Sequence, residues 1–246
     1  MTHARCKFWV GTLAGLVALV LPASASAAPQ AAEAADSARA SAGETFSYWA
    51  HPTHRTIIRR HPSHSSRRVA RIHYLTEDHY PEVYPVLRSF TDAVGRTWLR
   101  IRIPMRPNGR TGWVRDSSLG PLNRTRTRLV VDRRSLRATL FRDGRRIWRS
   151  RIGVGKARTR TPGGRFWIRE KFRVRNAKGM YGPRAFGTGA YSRLSDWPGG
   201  GVIGIHGTNR PSLLPGRPSH GCVRLPNRAI LKLYRLMPIG TPVHIR

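Results

Sequence analysis

Acidic side chains are scarce in this sequence of 246 residues. Asp and Glu together number 12 against 45 Lys and Arg, which gives a formal net charge of +33 at pH 7. Beyond residue 126 the carboxylates are Asp132, Asp143, Glu170 and Asp196. Glycoside hydrolysis needs two carboxyl groups that flank the scissile bond, and none of these four lies near the reactive motifs described below. The composition therefore argues against a glycosidase.

The N-terminal apolar run is too short for a comfortable membrane span. It occupies residues 8–21, follows the basic Arg5 and Lys7, and leads to an Ala-Ser-Ala sequence at residues 25–27. As a helix it would extend roughly 21 Å, against about 30 Å for the hydrocarbon core of a bilayer. We therefore predict a cleaved signal peptide over residues 1–27 and an exported protein of the cell wall or a periplasm-like space. An uncleaved N-terminal anchor is the alternative.

Cysteine is nearly absent, since the chain has only Cys6 and Cys222. Cleavage of the signal peptide would remove Cys6 and leave one thiol in an exported protein, with no internal disulfide. An unpaired thiol outside the cytosol is a liability unless it has a chemical task. This directs attention to Cys222.

Lysine is also scarce, so the positive charge is carried almost wholly by arginine. Such a balance favours polyanionic partners, here anionic cell-wall polymers or a membrane surface. Export makes nucleic acid an unexpected partner. Because the arginines are scattered along the chain, the sequence predicts a diffuse basic surface.

Helical periodicity is weak in the first half of the chain. Residues 28–45 are rich in Ala and Ser and predict a disordered linker. Residues 46–122 contain short strands between turns, and the clearest strand, 98–104, alternates apolar and arginine side chains. Such strands predict a small barrel. The stretch 98–114, which ends in Pro-Asn-Gly-Arg-Thr-Gly-Trp-Val, resembles a bacterial SH3-like (SH3b) domain, and this would imply a wall-ligand or spacer module.

The segment 126–246 continues with strands. Asp143-Gly144 predicts a hairpin turn, and the glycine-rich stretch from Gly179 to Gly201 predicts a long loop that forms a lid or a substrate wall. Only after Pro226 does apolar spacing predict a helix, which is followed by a closing strand at 241–245. The segment is therefore predicted to be a mainly β domain with one C-terminal helix.

Two His-Pro-X-His units occupy residues 51–54 and 61–64. Paired histidines can bind a transition metal, but proline disfavours the helix that commonly presents such pairs. We expect loop histidines and no metal. The Gly-Val-Gly-Lys sequence at 153–156 lacks the spacing of a phosphate loop, so no nucleotide cofactor is expected.

Three reactive side chains converge near the C-terminal end. His206 belongs to Ile-His-Gly-Thr at 205–208, and His220 and Cys222 belong to Ser-His-Gly-Cys at 219–222. A histidine can accept the thiol proton, and the resulting imidazolium stabilises the thiolate. Alternatively, two histidines and a cysteine could bind zinc, but no carboxylate is nearby to act as a base or to orient these ligands. The pattern favours a thiol nucleophile for acyl transfer, with backbone amides of the turn binding the oxyanion.

This pair of motifs resembles the signature of the YkuD-type L,D-transpeptidase catalytic domain. The resemblance covers roughly residues 126–246 and includes the turns at 153–156, 161–166, 181–182 and 240–243. The paired motif is highly specific. The 12 residues between His206 and Ser219 are slightly fewer than expected for the family, which suggests a shortened loop over the site.

The resemblance implies roles for the site residues. Cys222 would attack the carbonyl between the third and fourth residues of a peptidoglycan stem peptide. His206 would be the base, oriented by a backbone carbonyl close to Gly207, although His206 and His220 could exchange roles. The remaining substrate-binding or oxyanion residues are Gly221, Ser219, Arg224, Gly207 and Tyr181.

The acceptor of the acyl group is open in the sequence. The resemblance implies that the side-chain amine of a second stem peptide resolves the acyl-enzyme and forms a 3→3 cross-link. The alternatives are water, which would make an L,D-carboxypeptidase, a papain-like wall endopeptidase and a non-catalytic wall-binding protein. In papain-like enzymes the cysteine precedes the histidine, whereas here His206 comes before Cys222. That order favours the transpeptidase.

Overall fold

Two β-sheets make up most of the part of the chain that the structure, a computed structural model, describes: residues 47–195 and 198–246. Within these ranges the fold is mainly β with one α-helix, as the sequence predicts. The signal peptide and linker predicted over residues 1–45 lie outside the described residues. Within the described ranges, no helix is long and apolar enough to cross a membrane.

The first sheet contains seven antiparallel strands in the open order β3-β2-β6-β5-β4-β1-β7. The strands are β1 (Ser47–Ala50), β2 (Ile57–Arg59), β3 (Arg68–Arg71), β4 (Tyr84–Thr91), β5 (Thr97–Arg102), β6 (Thr111–Arg115) and β7 (Asn123–Thr125). In β5, Leu99 and Ile101 are buried while Arg100 is only half-buried, because successive side chains of a strand point to opposite faces. The sheet extends to Thr125, three residues beyond the predicted end of the first module.

The second sheet has ten strands in the order β10-β9-β8-β17-β12-β13-β14-β16-β11-β15. They are β8 (Thr127–Asp132), β9 (Arg137–Arg142), β10 (Arg145–Arg151), β11 (Gly153–Gly155), β12 (Gly164–Arg173), β13 (Arg184–Tyr191), β14 (Val202–His206), β15 (Gly216–Ser219), β16 (Val223–Arg224) and β17 (Pro242–Ile245). The predicted hairpin joins β9 to β10, and both Asp143 and Gly144 adopt positive φ, as a two-residue turn requires.

The α-helix of the described residues, α1 (Asn227–Leu236), packs against β13. Ile230 and Leu233 are completely buried in the core of the second sheet. Pro226 precedes the helix, and the backbone turns out of helical geometry at Met237. The helix that the apolar spacing predicts is therefore confirmed, and it is amphipathic.

The expectation of a long glycine-rich loop from Gly179 to Gly201 is wrong over residues 184–191, which form the buried strand β13. Its glycines face large neighbours. A Cβ on Gly187 would lie 2.5 Å from Glu170 Oε2, and one on Gly189 would lie 2.6 Å from the ring of Trp167. Glycine here provides room for side chains of β12. In the sequence, glycines that packing requires look the same as glycines of a loop.

Strand β12 joins the second sheet to the first. Trp167 Nε1 donates a hydrogen bond to the carbonyl of Val83 at 2.8 Å. Arg169 Nε donates to Glu82 Oε1 at 2.8 Å, and a second guanidinium nitrogen contacts the other oxygen of Glu82. Both side chains are almost completely buried, with 2% of Arg169 and 1% of Glu82 exposed. Because breaking a buried ion pair is costly, these contacts hold the two sheets together.

A turn of the first sheet also holds the segment that follows β13. Asn108 Nδ2 donates to the carbonyl of Tyr191 at 2.8 Å, and Asn108 Oδ1 accepts from the Tyr191 amide at 2.9 Å. The Arg106 guanidinium donates to the carbonyls of Ser192 at 3.1 Å and Gly200 at 2.8 Å. The position of this segment therefore depends on both sheets.

Candidate active site

His206 and Cys222 lie at one place where β14 runs parallel to β16. His206 ends β14 and Cys222 directly precedes β16, with Ile205 opposite Val223 in the register. The amide of Gly204 donates to Cys222 Sγ at 3.4 Å. A Cβ on Gly204 would lie 3.7 Å from His206 Cδ2 and 3.8 Å from Cys222 Sγ. The missing side chain at Gly204 therefore leaves a space that both reactive groups border.

The His206 imidazole is 3% exposed and is held in one orientation. Its Nδ1 lies 2.6 Å from the carbonyl oxygen of Gly207. Because a carbonyl oxygen can only accept, Nδ1 carries the proton and donates. The lone pair of Nε2 is then available to accept a proton.

Burial sets the charge of both reactive groups. Burial is the main reason that the pKa of His206 is lowered to about 4; the hydrogen bond to Gly207 opposes this shift, and the charge of Arg224 adds to it. Burial raises the pKa of the Cys222 thiol, against the opposing effects of the Gly204 amide and Arg224. Desolvation disfavours the charged form of each group. The free site therefore rests as a neutral imidazole and a thiol, rather than as the thiolate–imidazolium pair that the sequence suggests.

The turn before Cys222 is closed by its own hydrogen bonds. Ser219 Oγ donates to the carbonyl of Cys222 at 2.6 Å and accepts from the Gly221 amide at 3.1 Å. Gly221 has a φ of +133°, and a Cβ there would lie 2.8 Å from Ile203 Cδ1. Only glycine adopts this conformation readily. The Gly221 amide is engaged inside the turn, so it is not free to donate to an oxyanion.

Thr161 holds the same turn from the opposite side. Its hydroxyl donates to the carbonyl of Gly221 at 2.7 Å and accepts from the Gly155 amide at 2.9 Å. Thr161 is buried. The turn that presents Cys222 is thus tied to the segment 155–161.

Tyr181 covers His206. The two rings meet edge to face, with centroids 4.9 Å apart. The Tyr181 side chain is 39% exposed, and burial raises the pKa of its hydroxyl, assisted by the nearby Cys222. The hydroxyl therefore stays protonated and can donate a hydrogen bond at the mouth of the site.

Arg224 lies opposite His206 in the strand register. Its side chain is half-buried, and its Nε is buried without a hydrogen-bond partner among the described residues. A buried donor of this kind is costly to leave unmatched. Arg224 thus supplies both positive charge and an unused donor next to the two reactive groups.

The two candidate histidines differ in burial. His206 is buried against Gly204 and Gly207, whereas the side chain of His220 is exposed. The sequence did not single out Gly204, Thr161 or Asn227 as site residues. Asn227 Oδ1 accepts from the Thr208 amide at 2.9 Å and lies against Gly207. Thr161 falls within the turn at 161–166, one of the turns that carry the resemblance described under Sequence analysis. That resemblance was the one indication in the sequence that Thr161 belongs to the site.

Part of the chain is similar to known proteins. Residues 126–245 match the family model of the YkuD L,D-transpeptidase catalytic domain. The chain is 37% identical to YkuD of Bacillus subtilis (strain 168) over 94 residues, which are 38% of this chain and 50% of that protein. It is 36% identical to YkuD of Bacillus licheniformis over 119 residues, 48% of this chain and 64% of that protein. The matches thus span 50% and 64% of the lengths of these two relatives.

Solved structures of L,D-transpeptidases also match. An Enterococcus faecium L,D-transpeptidase is 25% identical, with 49% of each chain covered and a TM-score of 0.39. L,D-transpeptidase 3 from Mycobacterium tuberculosis is 15% identical, with 61% of this chain and 91% of that chain covered and a TM-score of 0.39.

Proposed function

We propose that this chain, whose residues 126–245 carry a YkuD-type L,D-transpeptidase catalytic domain, is a cysteine acyltransferase that acts on peptidoglycan stem peptides. The observation that carries the proposal is the meeting of a fixed, neutral imidazole and a thiol beside Gly204. Acyl transfer needs a nucleophile and a base with a free lone pair in the same space. The family match supplies the substrate class.

In the proposed mechanism His206 Nε2 takes the thiol proton as Cys222 Sγ attacks the carbonyl between the third and fourth residues of a donor stem. Proton transfer during attack is required because burial keeps both groups neutral beforehand. The imidazolium then gives its proton to the departing amine, and a thioester remains on Cys222. The Gly207 carbonyl stabilises the imidazolium through Nδ1–H.

The oxyanion of the tetrahedral intermediate needs donors other than the Gly221 amide. We assign this role to the amide of Cys222 and the Tyr181 hydroxyl, since Tyr181 covers His206 at the mouth of the site. Arg224, which is half-buried and whose charge acts on both reactive groups, would bind a carboxylate of the stem. Ser219 and Thr161 would maintain the shape of the turn.

The acyl acceptor in this proposal is the side-chain amine of a second stem peptide, which gives a 3→3 cross-link. Deacylation by water, which would make an L,D-carboxypeptidase, is the second candidate reaction of the same thioester. A papain-like endopeptidase is disfavoured because Cys222 precedes the strand β16 rather than opening a helix.

We also propose that the first sheet belongs to an SH3-like module over residues 46–122 that precedes a catalytic domain over 126–246. Its role would be to hold the catalytic domain at the wall and to position the segment after β13. The contacts of Asn108 and Arg106 with that segment support the positioning role. Export through residues 1–27 and adhesion of the basic surface to anionic wall polymers or membrane complete the proposal.

The test is product analysis by mass spectrometry with purified disaccharide-tetrapeptide. The wild-type protein should yield a cross-linked dimer that has lost one terminal residue, and Cys222→Ala should yield none while still binding to isolated sacculi. We expect His206→Gln to slow product formation about 10²–10⁴-fold, the usual effect of losing a general base. The matched control, His220→Gln, should have a much smaller effect because His220 is exposed.

Three results would contradict these assignments. Full activity of Cys222→Ala would exclude Cys222 as the nucleophile. A larger loss of activity in His220→Gln than in His206→Gln would identify His220 as the base. Shortened stems without any dimer would identify water as the acceptor.

A further inference from the structure

Two adjoining cavities beside the second sheet are lined by arginine. Their volumes are about 860 and 390 Å³, and Arg133, Arg160 and Thr161 line both. We call their combined surface the arginine groove. Its arginines include Arg133, Arg158, Arg160 and Arg217.

The charge of the arginine groove is not neutralised by the described residues that line it, because none of them is acidic. Asp132, which precedes Arg133 in the chain, pairs at 3.3 Å with Arg246, a lining residue of the smaller cavity, and so offsets the charge of that one arginine. Arg133 donates to two backbone carbonyls, those of Thr161 at 2.8 Å and Arg246 at 3.2 Å. Carbonyl oxygens orient the guanidinium but leave its charge, so the groove attracts anions.

Two of these arginines stand on a turn with a fixed backbone. The Lys156 amide donates to the carbonyl of Ser219 at 2.9 Å, and the Thr159 hydroxyl donates to the same carbonyl at 3.3 Å. Arg158 and Arg160, on either side of Thr159, are exposed. Because the backbone is held, less ordering is required when these side chains bind a ligand.

We propose that the arginine groove binds a linear phosphodiester polymer, such as a polyol phosphate chain. Guanidinium forks match the paired oxygens of a phosphate bidentately. The larger cavity has the volume of a site that holds several ligand units rather than one ion. The single aromatic residue among the described lining, Tyr191, is covered by the Arg106 guanidinium, 4.8 Å from the ring centroid. The described lining therefore offers no free aromatic face of the kind on which the bases of single-stranded nucleic acid stack.

The arginine groove borders the turn that presents Cys222. Thr161 lines the groove and donates to the carbonyl of Gly221, and Ser192 lines it as well, with its Oγ 3.7 Å from the position of a Cβ on Gly221. A polymer in the groove would hold the thiol next to the anionic wall. This consequence rests on the proposed acyl transfer, whereas the binding itself does not.

The test is calorimetric titration of the full chain with a synthetic glycerol phosphate hexamer at about 0.15 M salt, where diffuse surface attraction is screened. Arg158→Gln/Arg160→Gln should weaken hexamer binding about tenfold or more, the effect of losing one or two charge-assisted contacts. The matched control is Arg67→Gln/Arg68→Gln, an equal loss of charge at exposed positions of the first sheet. Its affinity should stay within about twofold of wild type.

Equal weakening in both double variants would overturn the proposal, because net charge alone would then account for binding. Equally tight binding of hexaglutamate or of an oligothymidylate of the same length would overturn the phosphodiester assignment. Cys222→Ala should bind the hexamer as wild type does while forming no cross-linked product. Hexamer binding would therefore still test the proposed groove even if the protein formed no cross-linked product.

Discussion

At the scale of single residues, the resting charge of Cys222 is a balance between burial and Arg224. Burial raises the pKa of the thiol, and the positive charge of Arg224 acts against that rise. The same charge lowers the pKa of His206. Arg224 thus favours a thiolate beside a neutral imidazole, even though desolvation keeps the thiol protonated.

We predict that Arg224→Gln makes the thiol less reactive at fixed pH. Removing the positive charge takes away an influence that favours the thiolate, so the pKa of Cys222 should rise further. The measurement is the rate of alkylation by iodoacetamide as a function of pH, which requires no substrate binding. At pH 8 the rate should fall several-fold, and the midpoint of the profile should move to higher pH.

Arg224→Lys is the control for this experiment because it retains the charge. Its alkylation profile should stay close to that of the wild-type protein. Identical profiles for Arg224→Gln and wild type would show that Arg224 does not act on the thiol electrostatically.

At the scale of elements, strand β13 shows why composition alone misplaced a central strand. Gly187 and Gly189 of β13 face Glu170 and Trp167 of β12. Glycine in a strand weakens its local signal, while the large partner residue is supplied by another strand. By contrast, the hairpin at Asp143-Gly144 and the helix α1 were predictable because their signals are local.

We predict that Gly189→Ala destabilises the protein by about 1–3 kcal/mol, the usual cost of overpacking a buried site. The new Cβ would lie 2.6 Å from the Trp167 ring. That ring is held by its hydrogen bond to the Val83 carbonyl, so it cannot move aside easily. The measurement is the free energy of unfolding from urea denaturation.

Gly120→Ala is the matched control, since the nearest atoms to a Cβ there are 3.6 Å away. Its free energy of unfolding should change by less than about 0.5 kcal/mol. Equal stability of Gly189→Ala and wild type would mean that β12 and β13 can separate enough to accept the methyl group.

At the scale of the whole molecule, three glutamates, Glu77, Glu82 and Glu170, lie where the two sheets meet. Glu82 and Glu77 pair with Arg169, with Glu77 Oε2 3.0 Å from the guanidinium. Glu170 lies on the same strand as Arg169 and is 1% exposed, but neither of its carboxylate oxygens has a hydrogen-bond partner among the described residues. Burial raises the pKa of Glu170 to about 7, against smaller lowering effects of Thr76 and Arg169.

We predict that Glu170→Gln stabilises the protein at alkaline pH. A carboxyl whose pKa is raised in the folded state binds its proton more tightly there, so its contribution is complete below its ordinary pKa of 4.5 and is lost as pH rises through about 7. Glutamine mimics the protonated form at every pH. The variant should match wild type near pH 4 and exceed it by up to about 3 kcal/mol at pH 8.5, measured by urea denaturation at both values.

Asp116→Asn, the same carboxyl-to-amide change at a half-buried position directly after β6, is the control for net charge. Equal changes in the free energy of unfolding in both variants would mean that the loss of any carboxylate, rather than the burial of Glu170, accounts for the effect. A difference for Glu170→Gln that does not grow with pH would contradict the raised pKa.

The distribution of arginine is also decided at this scale. The sequence predicts a diffuse basic surface because its arginines are scattered along the chain. Folding brings Arg133, Arg160 and Arg217 to adjoining cavities, although they are far apart in the chain. Clustering of this kind depends on strand order, which arginine spacing does not encode.

The sequence by itself determined the mainly β class, the hairpin at Asp143-Gly144, the C-terminal helix and the paired motifs around His206 and Cys222. Each of these depends on residues close together in the chain, so their conformational preferences and spacing can be recognised in a short stretch of sequence. Only the tertiary structure decided which histidine is buried beside Gly204, that burial keeps the thiol and imidazole neutral, and that Glu82 meets Arg169 across the two sheets. Those outcomes arise from desolvation and from contacts between distant segments, and both exist only after the chain has folded.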